Sequence, residues 1–173
     1  MKKALKRKII WFAVSMSVLI VLFNGCYNIE TTNAKKYNSF YNKMERKHPS
    51  MYEKLPDPQG LELDEVYLYH WDFDLIDTTY VVYLNCVFDN KEEYTTEKNR
   101  QYKLGREWEF TQYNSSSFEY ESVVREHYIS GHDKHFDYVL FDDSEHRFVY
   151  VYMFDIDGKF ENIPQKYLPD ELR

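Results

Sequence analysis

The chain has 173 residues, which suits one domain of ordinary size preceded by an N-terminal segment. Five of its 22 basic residues and none of its 29 acidic residues precede Cys26, so residues 26–173 carry 17 basic against 29 acidic side chains, a formal charge of −12. Nucleic acids and anionic lipid head groups attract clustered lysine and arginine, so this balance excludes nucleic-acid binding and predicts overall repulsion from anionic lipids.

The N-terminal segment has the pattern of a secretory signal. "MKKALKRK" at residues 1–8 carries five positive charges, and "IIWFAVSMSVLIVLF" at residues 9–23 carries none. A basic start followed by an apolar stretch of this length is typical of such signals. Because Lys and Arg hold their end of the segment in the cytoplasm, we expect residues 27–173 to face outward.

Cys26 is the candidate point of attachment to the membrane. Residues 22–26, "LFNGC", place two apolar residues and a glycine before the cysteine. This stretch resembles the lipobox of bacterial lipoprotein precursors. The resemblance implies cleavage after Gly25 and a diacylglycerol on the Cys26 sulfur. The two acyl chains of that group are about what stable anchoring requires.

Two other interpretations of the segment remain open. The apolar run could stay uncleaved as an anchor helix, although it is short against the roughly 20 residues that span a bilayer. An ordinary signal peptidase could instead cut near "TNA" at residues 32–34. The predicted organisation is a signal peptide or membrane anchor at residues 1–25, a polar tether at 26–36, and one extracytoplasmic domain at 37–170.

The domain begins with a helix and continues with strands. Apolar residues recur at helical spacing before Pro49, namely Tyr37, Phe40, Tyr41 and Met44. From Glu65 the apolar period changes to two, which predicts strands in six runs: 66–75, 80–89, 102–112, 117–124, 136–143 and 148–155. Turn-forming stretches such as "DDSEH" separate the runs, and Asp157–Gly158 is typical of a hairpin turn. The predicted fold class is α+β, a curved antiparallel sheet of about six strands with one N-terminal amphipathic helix packed on it.

The most unusual feature is the number of aromatic residues. They make up 18% of the chain, and seventeen of them are tyrosines. Alternation places Tyr67, Tyr69, Trp71 and Phe73 on one face of a strand. Tyrosine combines an apolar ring with a polar hydroxyl, so this row is a candidate binding face. The preferred interpretation is that the rings instead fill the core between sheet and helix.

A weaker candidate is a metal site in "EHYISGHDKHFD". His127, His132 and His135 occur there beside carboxylates such as Asp137, and zinc takes imidazole and carboxylate ligands. The spacing matches no zinc motif of known mechanism, so a solvated loop is the preferred interpretation. With Cys26 lipidated, Cys86 lacks an intramolecular partner, and its apolar surroundings predict a buried free thiol.

These features together predict a non-catalytic binding or interaction module held at the outer face of a cell membrane. Its expected partners are the membrane, through the N-terminal lipid or anchor helix, and another envelope protein or an extracellular ligand. No cofactor and no catalytic residue is expected. The alternatives are a small metal-assisted hydrolase that uses the three histidines, and an inhibitor or immunity-type protein, which the acidic charge would suit.

Overall fold

A computed structural model describes residues 26–59, 61–73, 77–107, 120–130, 133–154 and 161–173. Within them lies a six-stranded sheet in which all pairs are antiparallel and the spatial order is β1-β2-β3-β6-β5-β4. The strands are β1 (Cys26–Thr31), β2 (Glu62–Phe73), β3 (Asp77–Val87), β4 (Glu121–Ser130), β5 (Asp133–Asp142) and β6 (Arg147–Phe154). The α+β class and the antiparallel sheet agree with expectation.

Three helices pack on one face of this sheet, where the sequence predicted a single helix. They are α1 (Tyr37–Lys47), α2 (Pro49–Tyr52) and α3 (Lys91–Glu107). The apolar spacing in α1 has the expected effect, because Tyr37, Phe40 and Met44 are buried in the core beneath it. None of the helices in the described ranges is long and apolar enough to cross a membrane.

Helix α3 corrects the predicted strand at residues 102–112. Residues 102–107 lie in the last turns of α3, and 108–112 fall outside the described residues. The helix begins at a side-chain cap, in which the Asn90 side chain accepts a hydrogen bond from the backbone N–H of Glu93. An asparagine followed three residues later by glutamate is a helix-start signal that the two-residue alternation of Tyr102 and Leu104 obscured.

The segment expected to be a tether, residues 26–36, is part of the fold. Its first six residues form edge strand β1, which pairs with β2 from Cys26 opposite Phe73 to Thr31 opposite Leu68. Residues Ala34–Lys36 then form a turn of 3₁₀ helix that leads into α1. A short, polar strand suits the edge of a sheet, because the unpaired backbone groups of a long apolar edge strand would attract another chain.

Both faces of the sheet are covered. Beneath the helices lies one core, which contains residues such as Leu68, Leu84 and Tyr150. The opposite face is covered by residues 161–173, from which Ile163, Tyr167, Leu168 and Leu172 are buried against the strands. The Tyr138 hydroxyl donates a 2.7 Å hydrogen bond to the backbone oxygen of Tyr167 and so holds this C-terminal segment in place.

A buried ion cluster joins the helical layer to the sheet. The Oδ1 atom of Asp137 on β5 accepts hydrogen bonds from Nε and Nη2 of Arg125 on β4, at 2.9 and 2.5 Å. Its Oδ2 atom lies 2.7 Å from Nζ of Lys54, which follows α2. The remaining Arg125 nitrogen donates to the side chain of Gln101 on α3. All four side chains are buried.

We expect Asp137→Asn to lower the free energy of unfolding by about 3–5 kcal/mol, because two buried cations would lose their counter-charge. Urea denaturation of the purified protein measures the change. Asp170→Asn is the matched control, since Asp170 is exposed and its pair with Arg173 should contribute under about 1 kcal/mol. Equal losses in the two variants would contradict the central role of Asp137.

At Gly105, helix α3 lies close against strand β4 of the sheet. A Cβ atom at this position would lie 2.5 Å from Cγ1 of Val123, a buried residue on β4. Alanine normally favours a helix over glycine by about 1 kcal/mol. Here the contact should make alanine less stable than glycine, because the β-branched Val123 side chain in a packed strand has little freedom to move away.

Gly105→Ala should therefore destabilise the protein by about 1–3 kcal/mol, as overpacking does elsewhere. Thermal unfolding is the measurement, and Asn99→Ala at an exposed position of α3 should not lower the melting temperature. In a double-mutant cycle, Val123→Ala should relieve part of the loss. A stabilising Gly105→Ala would show that helix and strand are not in this contact.

Candidate functional site

A cleft of about 400 Å³ opens between the C-terminal segment and the end of the sheet farthest from Cys26. Its volume lies within the range of small-molecule pockets. The strands reach it at matching positions of the ladder, because Glu65 on β2 pairs with Asn85 on β3 and Asn85 pairs with Val149 on β6. Residues 164–167 close it from the other side.

Arg147 organises the polar part of the cleft. Its Nη1 atom donates to Oδ2 of Asp64 at 2.7 Å and to Oδ1 of Asn85 at 2.8 Å, and its Nε atom donates to Oε2 of Glu145 at 3.1 Å. The hydrogen bond that Arg147 donates to Asp64 raises the pKa of Arg147. The guanidinium is thus a fixed cation that draws together β2, β3 and the β5–β6 turn.

Tyrosines supply the apolar part. The rings of Tyr120 and Tyr167 have centroids 5.9 Å apart, and those of Tyr83 and Tyr167 lie 6.1 Å apart. Burial, followed by a hydrogen bond to Glu65, raises the pKa of Tyr83. Its hydroxyl is therefore a neutral donor. Nζ of Lys166 lies 4.5 Å from the centroid of the Tyr167 ring, where a cation is attracted to the aromatic face.

The turn between β5 and β6 forms part of the rim of the cleft. The Asp142 side chain accepts hydrogen bonds from the backbone and hydroxyl of Ser144, at 3.0 and 2.5 Å, and this interaction lowers the pKa of Asp142. His146, at the end of the same turn, has a φ of 49°, in the left-handed region. On β2 the pairing shifts by one residue between Leu63 and Glu65, as at a β-bulge, which redirects the chain next to the cleft.

A second cavity of about 340 Å³ adjoins the first and shares Asp64, Glu65 and Pro164 with it. Tyr67 and Tyr83 form part of its wall. The two cavities make one groove along the C-terminal segment. With tyrosine rings, carboxylates and two cations along it, this groove can bind a polar ligand by stacking and by hydrogen bonds.

A further cavity, of about 630 Å³, lies on the helical face at the same end of the sheet. It contains Leu61 and Phe88 beside the first turns of α3, where Glu92 and Glu93 are exposed. The described residues that line it include several carboxylates and no basic side chain. Each face of the sheet therefore has a cavity at the end remote from Cys26.

The predicted aromatic face is only partly available to a ligand. Tyr67 is buried, with its hydroxyl 3.3 Å from Oε1 of Glu30, and Tyr69 is half-buried against the same core. The burial of Tyr67 agrees with the preferred core interpretation at this position, although the core that contains it lies beneath the C-terminal segment and not between the sheet and the helices. Trp71 and Phe73 belong to β2, but their side chains lie outside the described part of the chain.

The histidines predicted as weak metal ligands do not form a described site. His127 pairs with Phe136, whereas His135 pairs with Tyr128, so the two histidines sit at consecutive positions of the β4–β5 ladder. His135 stacks on Phe154 with ring centroids 4.2 Å apart. Asp137 is engaged in the buried ion cluster. His132 lies outside the described residues, within which no three potential ligands come together. The metal-assisted hydrolase stays an untested alternative.

The two cysteines have different surroundings. Cys86 is a fully buried free thiol, as predicted, and burial raises its pKa well above the ordinary value. Cys26 begins β1 at the end of the sheet opposite the cleft.

Sequence reasoning missed Arg147, Asn85 and Tyr167 of the C-terminal segment. The available signal was the turn "DDSEH", which indicated a loop beside two strand ends, but nothing in the chain showed that residues 164–167 fold next to it. Comparisons of the chain with protein-family models, with curated proteins and with solved structures found no match.

Proposed function

We propose that this protein is an outward-facing lipoprotein that is tethered to the membrane through Cys26 and binds a ligand or an envelope partner in its distal cleft. The role is binding without catalysis. The observation that carries the proposal is that Cys26 and the cleft lie at opposite ends of the sheet.

The separation of the two ends follows from the register. Cys26 pairs with Phe73, and Phe73 is eight residue positions along β2 from Glu65 at the cleft. At roughly 3.3 Å per residue, this distance is about 26 Å. A domain anchored at Cys26 would hold the cleft well clear of the lipid surface, where a partner from outside can reach it.

The contents of the cleft favour binding over chemistry. Arg147 is held by two carboxylates and an amide, and the Tyr83 hydroxyl is held by Glu65. Groups already engaged in this way are suited to fixing the position of a ligand. Within the described residues, the hydrogen bonds of Arg147 and Tyr83 run to carboxylates and an amide, not to the histidine or serine that a nucleophilic site of that kind uses.

Cys26→Ala should abolish incorporation of a labelled fatty acid, because the thioether can form only on that sulfur. Labelling of cells that produce the full chain, followed by isolation of the protein, is the measurement. Cys86→Ala is the matched control and should label as the natural chain does, since Cys86 is buried. Equal labelling of natural chain and Cys26→Ala would refute the lipid anchor.

A photo-crosslinking residue in place of Lys166, which is exposed at the cleft, should form an adduct in intact cells. The same substitution of Glu45, exposed on α1, should form none. Adding Tyr120→Ala should reduce the Lys166 adduct several-fold, because one aromatic wall is lost. Adducts that form equally at both positions, or that survive Tyr120→Ala, would argue against the cleft as the binding site.

A further inference from the structure

The cleft already holds a cation that its own chain supplies. Lys166 is exposed on the 3₁₀ helix Gln165–Tyr167, and its Nζ atom lies 4.5 Å from the centroid of the Tyr167 ring. A hydrogen bond to the Tyr167 side chain raises the pKa of Lys166, and Tyr120 and Glu65 act in the same direction. The surroundings of this ammonium group therefore favour a positive charge.

Lys166 can leave this position while the ring beneath it stays in place. An exposed contact between a cation and an aromatic ring is weak, and lysine is a flexible side chain. Tyr167, in contrast, is buried, and its backbone oxygen accepts a 2.7 Å hydrogen bond from the Tyr138 hydroxyl. A second cation that enters the cleft could therefore displace Lys166 and use the same aromatic face.

The charges around this position favour an incoming cation over an anion. Among the described residues that line the cleft, carboxylates outnumber cations: Asp64, Glu65, Asp142 and Glu145 against Arg147 and Lys166. The side chains of Asp64 and Glu145 are 53% and 61% exposed, whereas that of Arg147, which bonds both, is 22% exposed. An anionic ligand would thus meet open carboxylates, and like charges brought together weaken binding.

The shape of the groove suits an extended chain better than a single ion. The cleft shares Asp64, Glu65 and Pro164 with the adjoining cavity of about 340 Å³. Its floor crosses the ladder from Glu65 on β2 to Leu140 on β5. Three strand spacings of roughly 4.8 Å make this distance about 14 Å, which is the length of about four extended residues. The formal charge of −12 on residues 26–173 would also attract a basic segment from solution.

From these observations we infer that the cleft binds an extended peptide segment of a partner protein, whose arginine or lysine side chain replaces Lys166 on the Tyr167 ring. The inference rests on the proposed binding function and names the chemistry of its partner. Glu65, which is exposed, pairs with the incoming cation, and Tyr120 flanks it. Arginine suits this place best, because a guanidinium both stacks on aromatic rings and bonds a carboxylate through two donors. Lys166 is then an internal competitor of the ligand.

Isothermal titration calorimetry of the full chain in a non-ionic detergent tests the class of ligand. The probes are tri-arginine and tri-glutamate peptides with both ends blocked, and spermidine, a polyamine with the same charge as the tri-arginine peptide. We expect tri-arginine to bind several-fold more tightly than spermidine, and tri-glutamate to show no binding. Spermidine that binds as tightly as tri-arginine would overturn the peptide as occupant. Tri-glutamate that binds as tightly would overturn the preference for a cation.

Variants of the full chain locate the binding of tri-arginine. Lys166→Ala should bind it several-fold more tightly, because the competitor is removed, whereas Lys91→Ala, which removes an exposed cation at the start of α3, should change little. Glu65→Gln should weaken binding several-fold, and Glu93→Gln, exposed on α3, should not. Weaker binding by Lys166→Ala, or equal effects in the cleft and control variants, would overturn the inference.

Photo-crosslinking at position 166 in cells separates this inference from the proposed function. Adducts that depend on Tyr120, combined with no binding of tri-arginine, would leave the cleft as a binding site and overturn the cationic peptide. The loss of both adducts and tri-arginine binding would overturn the two together.

Discussion

Asp137 is the residue on which the arrangement of layers depends. It carries a single negative charge beneath the helices, and that charge is shared between Arg125 on the neighbouring strand and Lys54 after α2. Desolvating three ionised groups is costly, so the cluster is stable only when all of them meet in the same place. Through Gln101, which bonds both Arg125 and the backbone of Lys54, the cluster also positions α3. This interaction thus sets where three separate elements lie on the sheet.

The second constraint is the closure of the opposite face. An antiparallel sheet can leave one face to solvent, but here residues 161–173 bury Tyr67, Tyr83 and their neighbours. The segment is held by a hydrogen bond from Tyr138 to the backbone at Tyr167. Because it passes the end of the sheet next to the β5–β6 turn, the same segment that completes the core also forms one wall of the cleft.

Fold and proposed function are linked through the direction of the strands. A strand that starts at Cys26 places this residue at one end of the sheet, and the ladder fixes every other residue relative to that end. The cleft falls at the far end. Under the proposed tethering through Cys26, the cleft would therefore point away from the membrane.

The sequence alone determined the features that depend on near neighbours. Helical spacing predicted α1, two-residue alternation predicted β2, β3, β5 and β6, and the apolar setting of Cys86 predicted a buried thiol. Charge composition defined an acidic domain after a basic, apolar leader. Where local patterns conflicted, as between the Asn90 cap and the short alternation at Tyr102, the wrong element was predicted.

Only the tertiary structure decided what depends on residues far apart in the chain. Asp137 was a plausible metal ligand until Arg125 and Lys54 were found around it, and Tyr67 was a plausible surface residue until the C-terminal segment covered it. The polar residues 26–31 became a strand because β2 offered an edge. Arg147 gained its role from Asp64, 83 residues away. Such partners are brought together by the topology of the sheet, which no local pattern encodes.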